Sequence, residues 1–126
     1  MLRAADHDVI QELGHPFELK QDGVFLAIVI DNYPMTRGLH PASSTLMLRM
    51  PPGFPDAAPD MFWLDPPVSF NGVPIPGTEA RETYLGRTWQ RWSRHIQGQW
   101  RPGIDNLGTY LAYVRRCLNQ AAGRAT

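Results

Sequence analysis

The 126-residue sequence predicts a single α+β domain, residues 1–126, in which four consecutive strands lie between an N-terminal and a C-terminal helix. Two observations support this prediction. Apolar residues recur at helical spacing near both ends of the chain, and segments rich in alternating or β-branched residues lie between them. Because the strands follow one another without intervening helices, we expect an antiparallel meander.

The N-terminal part predicts a helix followed by two strands. A helix is expected over residues 6–13, with Asp6 as its N-cap and Gly14 as its stop signal. In "FELKQDGVFLAIVIDNYP", the Asp22-Gly23 dipeptide is a turn signal, and residues 24–30 are rich in β-branched and aromatic side chains. This stretch therefore predicts the first two strands.

The middle of the chain predicts two more strands separated by a proline-rich loop. Residues 43–50 alternate, which predicts a strand with three core-facing side chains, Leu46, Leu48 and Met50. Prolines exclude residues 51–60 from a sheet, and "MFWL", residues 61–64, reads as the fourth strand. The later Asn71-Gly72 dipeptide indicates a tight turn, in either a small hairpin or an irregular loop.

Residues 77–102 follow no clear helical or strand pattern, so we expect an irregular segment there. The C-terminal helix is predicted by apolar residues three and four apart, namely Ile104, Leu107, Leu111, Val114 and Leu118. Asp105 falls in its predicted first turn, and Arg115 and Arg116 fall in its last turns, which suits the helix dipole.

Composition restricts the function classes. Residues 1–65 carry nine acidic and four basic side chains, and residues 66–126 carry three and eight, so the balances are −5 and +5. The basic half could attract an acidic partner, or the two halves could simply attract each other. Acidic residues stand near the N-terminus, where a signal peptide would be apolar, and no apolar run approaches the ~20 residues of a membrane span. We therefore expect a cytoplasmic protein without membrane contact.

Neither a metal nor a cofactor is expected. Cys117 is the only cysteine, which excludes an internal disulfide and a cysteine-built zinc site. It lies beside the apolar stripe of the final helix, where packing is favoured over a role as nucleophile. Asp56, Asp60 and Asp65 could be considered as metal ligands, but prolines separate them and they read as solvated loop acids.

Two motifs resemble those of a known family. "LMLRMPPGFPDAAPDMFWL", with Phe54-Pro55, Ala58-Pro59 and Met61-Phe62, resembles the segment in which ubiquitin-conjugating (UBC) enzymes leave their third strand. "WRPG" resembles the Trp-x-Pro that opens their next helix. The resemblance covers about residues 6–120. "GRTWQRWSRH" and "WRPGIDNLGTYL" are similar to a bacterial branch associated with ubiquitin-like conjugation. The resemblance implies a UBC-like fold, with a ubiquitin-like protein and an activating enzyme as partners.

The chain departs from that family at the catalytic position. The family has a cysteine, preceded by His-Pro-Asn, several residues before its Trp-x-Pro, whereas residues 87–99 contain neither. By this resemblance, Ser93 falls near the place of the cysteine, and His95 is its candidate base or oxyanion donor. The two side chains would face the same way only in an extended segment. The alternative is that both are solvated loop residues.

The segment "GRTWQRWSRHIQGQWRPG", residues 86–103, holds three tryptophans and four arginines but no acidic residue. We predict that it binds a partner through six side chains, Trp89, Arg91, Trp92, Arg94, Trp100 and Arg101. Alternatively, Trp100 anchors a loop, and Trp89 and Trp92 cover one side of a helical turn. Single-stranded nucleic-acid binding is a further alternative that the neutral overall charge disfavours.

The expected function is that of a UBC-like component of a bacterial ubiquitin-like conjugation pathway. If it is catalytic, it would be a ubiquitin-like protein transferase that acts through a serine oxyester. The alternative is a non-catalytic UBC-like scaffold that only binds the ubiquitin-like protein or the activating enzyme.

Overall fold

The computed structural model describes residues 2–123, without the side chain of Gln97. The ends of the predicted domain, residues 1 and 126, lie outside this range. The elements are α1 (Ala4–Glu12), β1 (Phe17–Asp22), β2 (Phe25–Pro34), β3 (Leu39–His40), β4 (Ser43–Met50), β5 (Phe62–Asp65), β6 (Ser69–Phe70), β7 (Arg81–Tyr84), β8 (Arg87–Trp92), a 3₁₀ turn (Gln97–Gln99) and α2 (Leu107–Ala121). None of the helices within residues 2–123 has the length and apolar character needed to cross a membrane.

The main sheet is antiparallel and has the strand order β1-β2-β4-β5-β8-β7. Its first four members are the predicted meander. The prediction of four strands is wrong in number, because β7 and β8 form a hairpin that adds to the sheet beside β5. The segment expected to be irregular therefore contains two strands. The short strands β3 and β6 pair separately.

Two of the predicted turns are confirmed. The chain reverses after Asp22, so that β1 and β2 pair from Asp22 and Phe25 onwards. At Asn71-Gly72, the backbones of Phe70 and Val73 exchange hydrogen bonds of 3.0 and 2.9 Å, which is the arrangement of a tight two-residue hairpin.

Helix α1 begins two residues before the predicted start. The N-cap position belongs to Arg3, and Asp6 lies in the first turn as the third helical residue, so the prediction of Asp6 as N-cap is wrong. Asp6 Oδ2 accepts a hydrogen bond from the Arg3 backbone N–H at 3.0 Å, and its Oδ1 accepts one from the Leu107 N–H at 3.2 Å. A buried carboxylate thus joins the first turns of α1 and α2.

Helix α2 is shorter than its apolar pattern predicted. Ile104 and Asp105 both precede it, and Ile104 is 63% exposed rather than part of the buried face. Asn106 is the N-cap and accepts a hydrogen bond from the Thr109 N–H at 3.1 Å. Arg115 and Arg116 lie in the penultimate turn of α2, and the final turn carries no basic residue.

The sheet has a core on each face. The larger core packs both helices against one face and includes the three side chains predicted from the third strand, Leu46, Leu48 and Met50. The smaller core lies on the other face and consists of Ala27, Val29, Met47, Trp63 and Trp89. The central strands are therefore covered on both sides.

Candidate functional site

Strand β8 anchors the segment that the sequence singled out. Alternation along the strand places Trp89 in the smaller core and Trp92 in the larger core, on opposite faces of the sheet. The Trp89 indole N–H donates to the Tyr84 carbonyl at 3.0 Å. Trp92 stacks on Phe62 with ring centroids 5.3 Å apart. The alternative of a helical turn carrying both indoles is therefore wrong.

Trp100 also belongs to the core. Its indole N–H donates to the Pro55 carbonyl at 2.8 Å, and its ring packs against Phe54 and Tyr110. This confirms the loop-anchor interpretation of Trp100.

The three indoles of the predicted partner surface are buried. Trp89 and Trp92 are fully buried and Trp100 is 8% exposed, so none of the rings is available for direct contact with a partner. Exposed stacking platforms, which single-stranded nucleic-acid binding requires, are likewise absent at these three positions.

Two of the predicted partner-binding arginines have internal partners. Arg91 donates to Glu82 Oε2 at 2.9 Å, and Glu82 Oε1 accepts from the Trp63 indole at 2.9 Å. Arg94 donates to the carbonyls of Ser93 and Pro76 at 3.2 and 3.0 Å. Both guanidinium groups therefore help to fix the C-terminal end of β8.

Arg101 has the most exposed guanidinium of the three. It pairs with Asp105 at 3.0 Å, and its side chain is nevertheless 63% exposed. Asp105 also accepts from the Arg101 backbone N–H at 2.7 Å. The guanidinium and this N–H lower the pKa of the Asp105 carboxyl, and the same pairing raises the pKa of Arg101.

Ser93 lies immediately after β8, where the strand ends in a tight turn. The Arg94 N–H donates to the Trp92 carbonyl at 2.9 Å, which centres the turn on Ser93. The Ser93 N–H donates to the Gly77 carbonyl at 2.9 Å, and Ser93 Oγ accepts a hydrogen bond from Arg91 Nε at 3.3 Å. Ser93 is partly exposed.

His95 pairs with a residue 35 positions away in the chain. Its Nδ1 lies 2.6 Å from Asp60 Oδ1, and the two side chains are 55% and 35% exposed. Within residues 2–123, the structure has no hydrogen bond between Ser93 and His95, because the turn at Ser93 replaces the extended geometry that would align them. The site therefore consists of a serine beside an arginine and a histidine beside a carboxylate.

The backbone around this histidine–aspartate pair is held in place by the core. The Met61 N–H donates to the Arg94 carbonyl at 3.1 Å, and the Met61 carbonyl accepts from the Tyr110 hydroxyl at 2.6 Å. Burial raises the pKa of the Tyr110 hydroxyl far above its usual range, so this hydroxyl stays protonated and donates.

Two grooves are lined either by a member of the pair or by its chain neighbour. One has a volume of about 250 Å³ and is lined by Ile96, Arg101 and Arg116 among others. The other, of about 230 Å³, includes Asp60 and Tyr84. Asp60 lines the second groove, and Ile96, the residue after His95, lines the first.

Cys117 is buried in the larger core, as expected from its position in the sequence. Burial raises the pKa of its thiol, which keeps the thiol in the protonated, unreactive form. The packing interpretation is thereby supported over a nucleophilic one.

A comparison with protein families is consistent with this architecture. The model of the family described as Prokaryotic E2 family E matches residues 2–121. The chain belongs to this prokaryotic E2 family. Membership of prokaryotic E2 family E indicates a role in bacterial ubiquitin-like conjugation, and in general an interaction with ubiquitin-like proteins and activating enzymes. No match was found among curated proteins or among solved structures.

Within this E2-like chain, Asp60 is the site residue that the sequence did not identify. From the sequence, Asp60 is interpreted as a solvated loop acid, because nothing in the proline-rich stretch around it indicates a partner side chain. Only the fold, through the pairing of β5 with β8, brings it to His95.

Proposed function

We propose that this E2-like chain accepts the carboxyl-terminal acyl group of a ubiquitin-like protein from an activating enzyme and passes it to an amine of a target. Ser93 Oγ carries the acyl group as an oxyester, and His95 receives the hydroxyl proton, a transfer for which the two side chains must approach each other because they are not hydrogen-bonded in this structure. The observation that supports a catalytic role is the exposed His95–Asp60 pair, whose histidine lies two residues after Ser93 in the chain.

The acyl transfer takes place in two steps. Ser93 Oγ attacks the thioester carbonyl of the activating enzyme, a C–O bond forms, the C–S bond breaks, and the proton passes through His95 to the departing thiolate. A target amine then attacks the oxyester, a C–N bond forms, the C–O bond breaks, and the proton that the amine loses passes through His95 to Ser93 Oγ. Because Arg91 Nε donates to Ser93 Oγ, the hydroxyl hydrogen remains free to be given to a base.

Arg101 is the predicted partner-binding residue whose exposure best suits contact with the ubiquitin-like protein or the activating enzyme. Its guanidinium stands beside Arg116 on the groove next to Ile96. Asp105 lines the same groove, so the two arginines leave a net positive charge of one there, which favours an acidic surface on the partner and accelerates its association.

The test is reconstitution with an activating enzyme, ATP and a ubiquitin-like protein. Wild type should form an adduct that hydroxylamine cleaves and thiol reductants leave intact. Ser93→Ala should abolish this adduct, and Ser93→Cys should give one that reductants cleave. Ser43→Ala, at an exposed serine of β4, is the matched control and should behave as wild type. Full adduct formation by Ser93→Ala would refute the assignment.

A non-catalytic scaffold is the second candidate. The observation that favours it is the separate pairing of Ser93 with Arg91 and of His95 with Asp60. A scaffold would bind the ubiquitin-like protein or the activating enzyme with unchanged affinity after Ser93→Ala, and wild type would form no hydroxylamine-sensitive adduct. Binding by titration calorimetry together with the adduct assay separates the two candidates.

A further inference from the structure

We infer that Asp60 is a positioning residue of this site: it holds the His95 imidazole with its hydrogen on Nδ1 and so leaves Nε2 as the nitrogen that accepts a proton. This inference rests on the proposed function, since it assigns the element that prepares His95 for the transfer.

The contact itself sets the tautomer. A carboxylate has no hydrogen to donate, so a bond of 2.6 Å between Asp60 Oδ1 and His95 Nδ1 requires the hydrogen on Nδ1. A neutral imidazole with a hydrogen on Nδ1 has a free lone pair on Nε2. A carboxylate in this place also stabilises the imidazolium that forms when Nε2 takes a proton.

The fold brings the two side chains together independently of their own attraction. Met61 and Arg94, the chain neighbours of Asp60 and His95, are joined by a backbone hydrogen bond of 3.1 Å. The buried Tyr110 hydroxyl fixes the Met61 carbonyl at 2.6 Å. Because sheet and helix already hold both backbones, little conformational entropy is lost in forming the side-chain contact.

Exposure of the pair makes a purely structural role a weak explanation. Ion pairs open to solvent contribute about 0–1 kcal/mol to stability, so fold stability alone gives little reason for this geometry. The same exposure leaves the imidazole accessible to an incoming partner. The pair is therefore better placed to transfer a proton than to stabilise the fold.

The experiment compares the full chain with Asp60→Ala, Asp60→Glu and the control Asp56→Ala, an exposed acid of the same proline-rich loop. ¹⁵N NMR at about pH 8, where an ordinary imidazole is neutral, reports the His95 tautomer. We expect the hydrogen on Nδ1 in wild type and in Asp56→Ala, a mixture of tautomers in Asp60→Ala, and recovery in Asp60→Glu. Unchanged melting temperatures would show that all variants fold.

Single-turnover adduct formation is the second measurement. Asp60→Ala should slow adduct formation by about 10-fold or more, and Asp60→Glu should restore much of the rate. This loss is part of the roughly 10²–10⁴-fold rate increase that a positioned general base contributes. An unchanged tautomer in Asp60→Ala, or a rate equal to that of Asp56→Ala, would overturn the inference. If a Ser93-dependent adduct forms at the same rate without Asp60, only this inference fails. If wild type forms no adduct, the proposed function fails as well.

Discussion

Gly77 offers a quantitative test of how the end of β8 is held. Its φ is +82°, and a Cβ added there would lie 2.6 Å from Arg94 Nη1. That guanidinium donates to the carbonyls of Ser93 and Pro76 and lies over the Trp92 ring, 5.3 Å from its centroid. Gly77→Ala must therefore both strain the backbone and displace Arg94.

The two effects have separable magnitudes. A left-handed conformation costs a residue with a Cβ about 1–2 kcal/mol. Displacing the Arg94 guanidinium adds about 1 kcal/mol for the weakened hydrogen bonds and about 0.5–1 kcal/mol for the contact with the ring. Gly77→Ala should then lower the free energy of unfolding by about 3 kcal/mol in wild type, but only by the backbone strain in an Arg94→Ala background.

The assay is a double-mutant cycle by urea denaturation of wild type, Gly77→Ala, Arg94→Ala and the double variant, with an expected coupling energy of about 1–2 kcal/mol. Gly86→Ala is the matched control, because Gly86 has a φ of +74° and nothing within 4 Å of the added Cβ. Gly86→Ala should lower the free energy of unfolding by the backbone strain alone. If Gly77→Ala lowers the free energy of unfolding equally in wild type and in Arg94→Ala, the reasoning is refuted.

Two further predictions concern the supports of the site. Tyr110→Phe removes the donor to the Met61 carbonyl, a bond of 2.6 Å, and should lower the free energy of unfolding by about 1–2 kcal/mol in urea denaturation; a cost near zero would contradict this. The pKa of Asp105 is lower in the folded chain, so its stabilising effect is present above the ordinary value of 3.8 and is lost as the pH falls through the folded value. Wild type should therefore lose thermal stability in this acidic range more steeply than Asp105→Asn, and parallel pH profiles of the two melting temperatures would contradict the assignment.

Alternation predicted strand β4 even though its second face is also partly buried, as at Met47 in the smaller core. Strand β4 alternates, and its predicted inward side chains, such as Leu46 and Leu48, are buried. The tight turns were predicted for a similar reason, because Asn71-Gly72 and Asp22-Gly23 carry local backbone preferences that need no long-range contact.

Strand β8 was not predicted because apolar and polar residues do not alternate along it. Trp89 and Gln90 are adjacent in the strand, and both are buried. Trp89 lies in the smaller core. The Gln90 side-chain amide accepts a hydrogen bond from the Val68 N–H at 2.8 Å and donates one to the Val68 carbonyl at 2.9 Å. A strand of this kind shows no alternation between apolar and polar residues, and a buried amide satisfied by backbone looks polar in the sequence. Only the fold shows that the Val68 backbone is the partner of this amide.

The composition of residues 86–103 follows from this double burial. Indoles fill both cores, and the arginines between them satisfy carbonyls and carboxylates at the strand ends, as Arg91 does with Glu82 and Arg94 with Pro76. A strand held on both faces is a rigid support, and a rigid support is what a serine and a histidine need when they follow it directly. In this E2-like chain, the buried indoles together with Arg91 and Arg94 therefore hold the end of β8, directly before the proposed site residues Ser93 and His95.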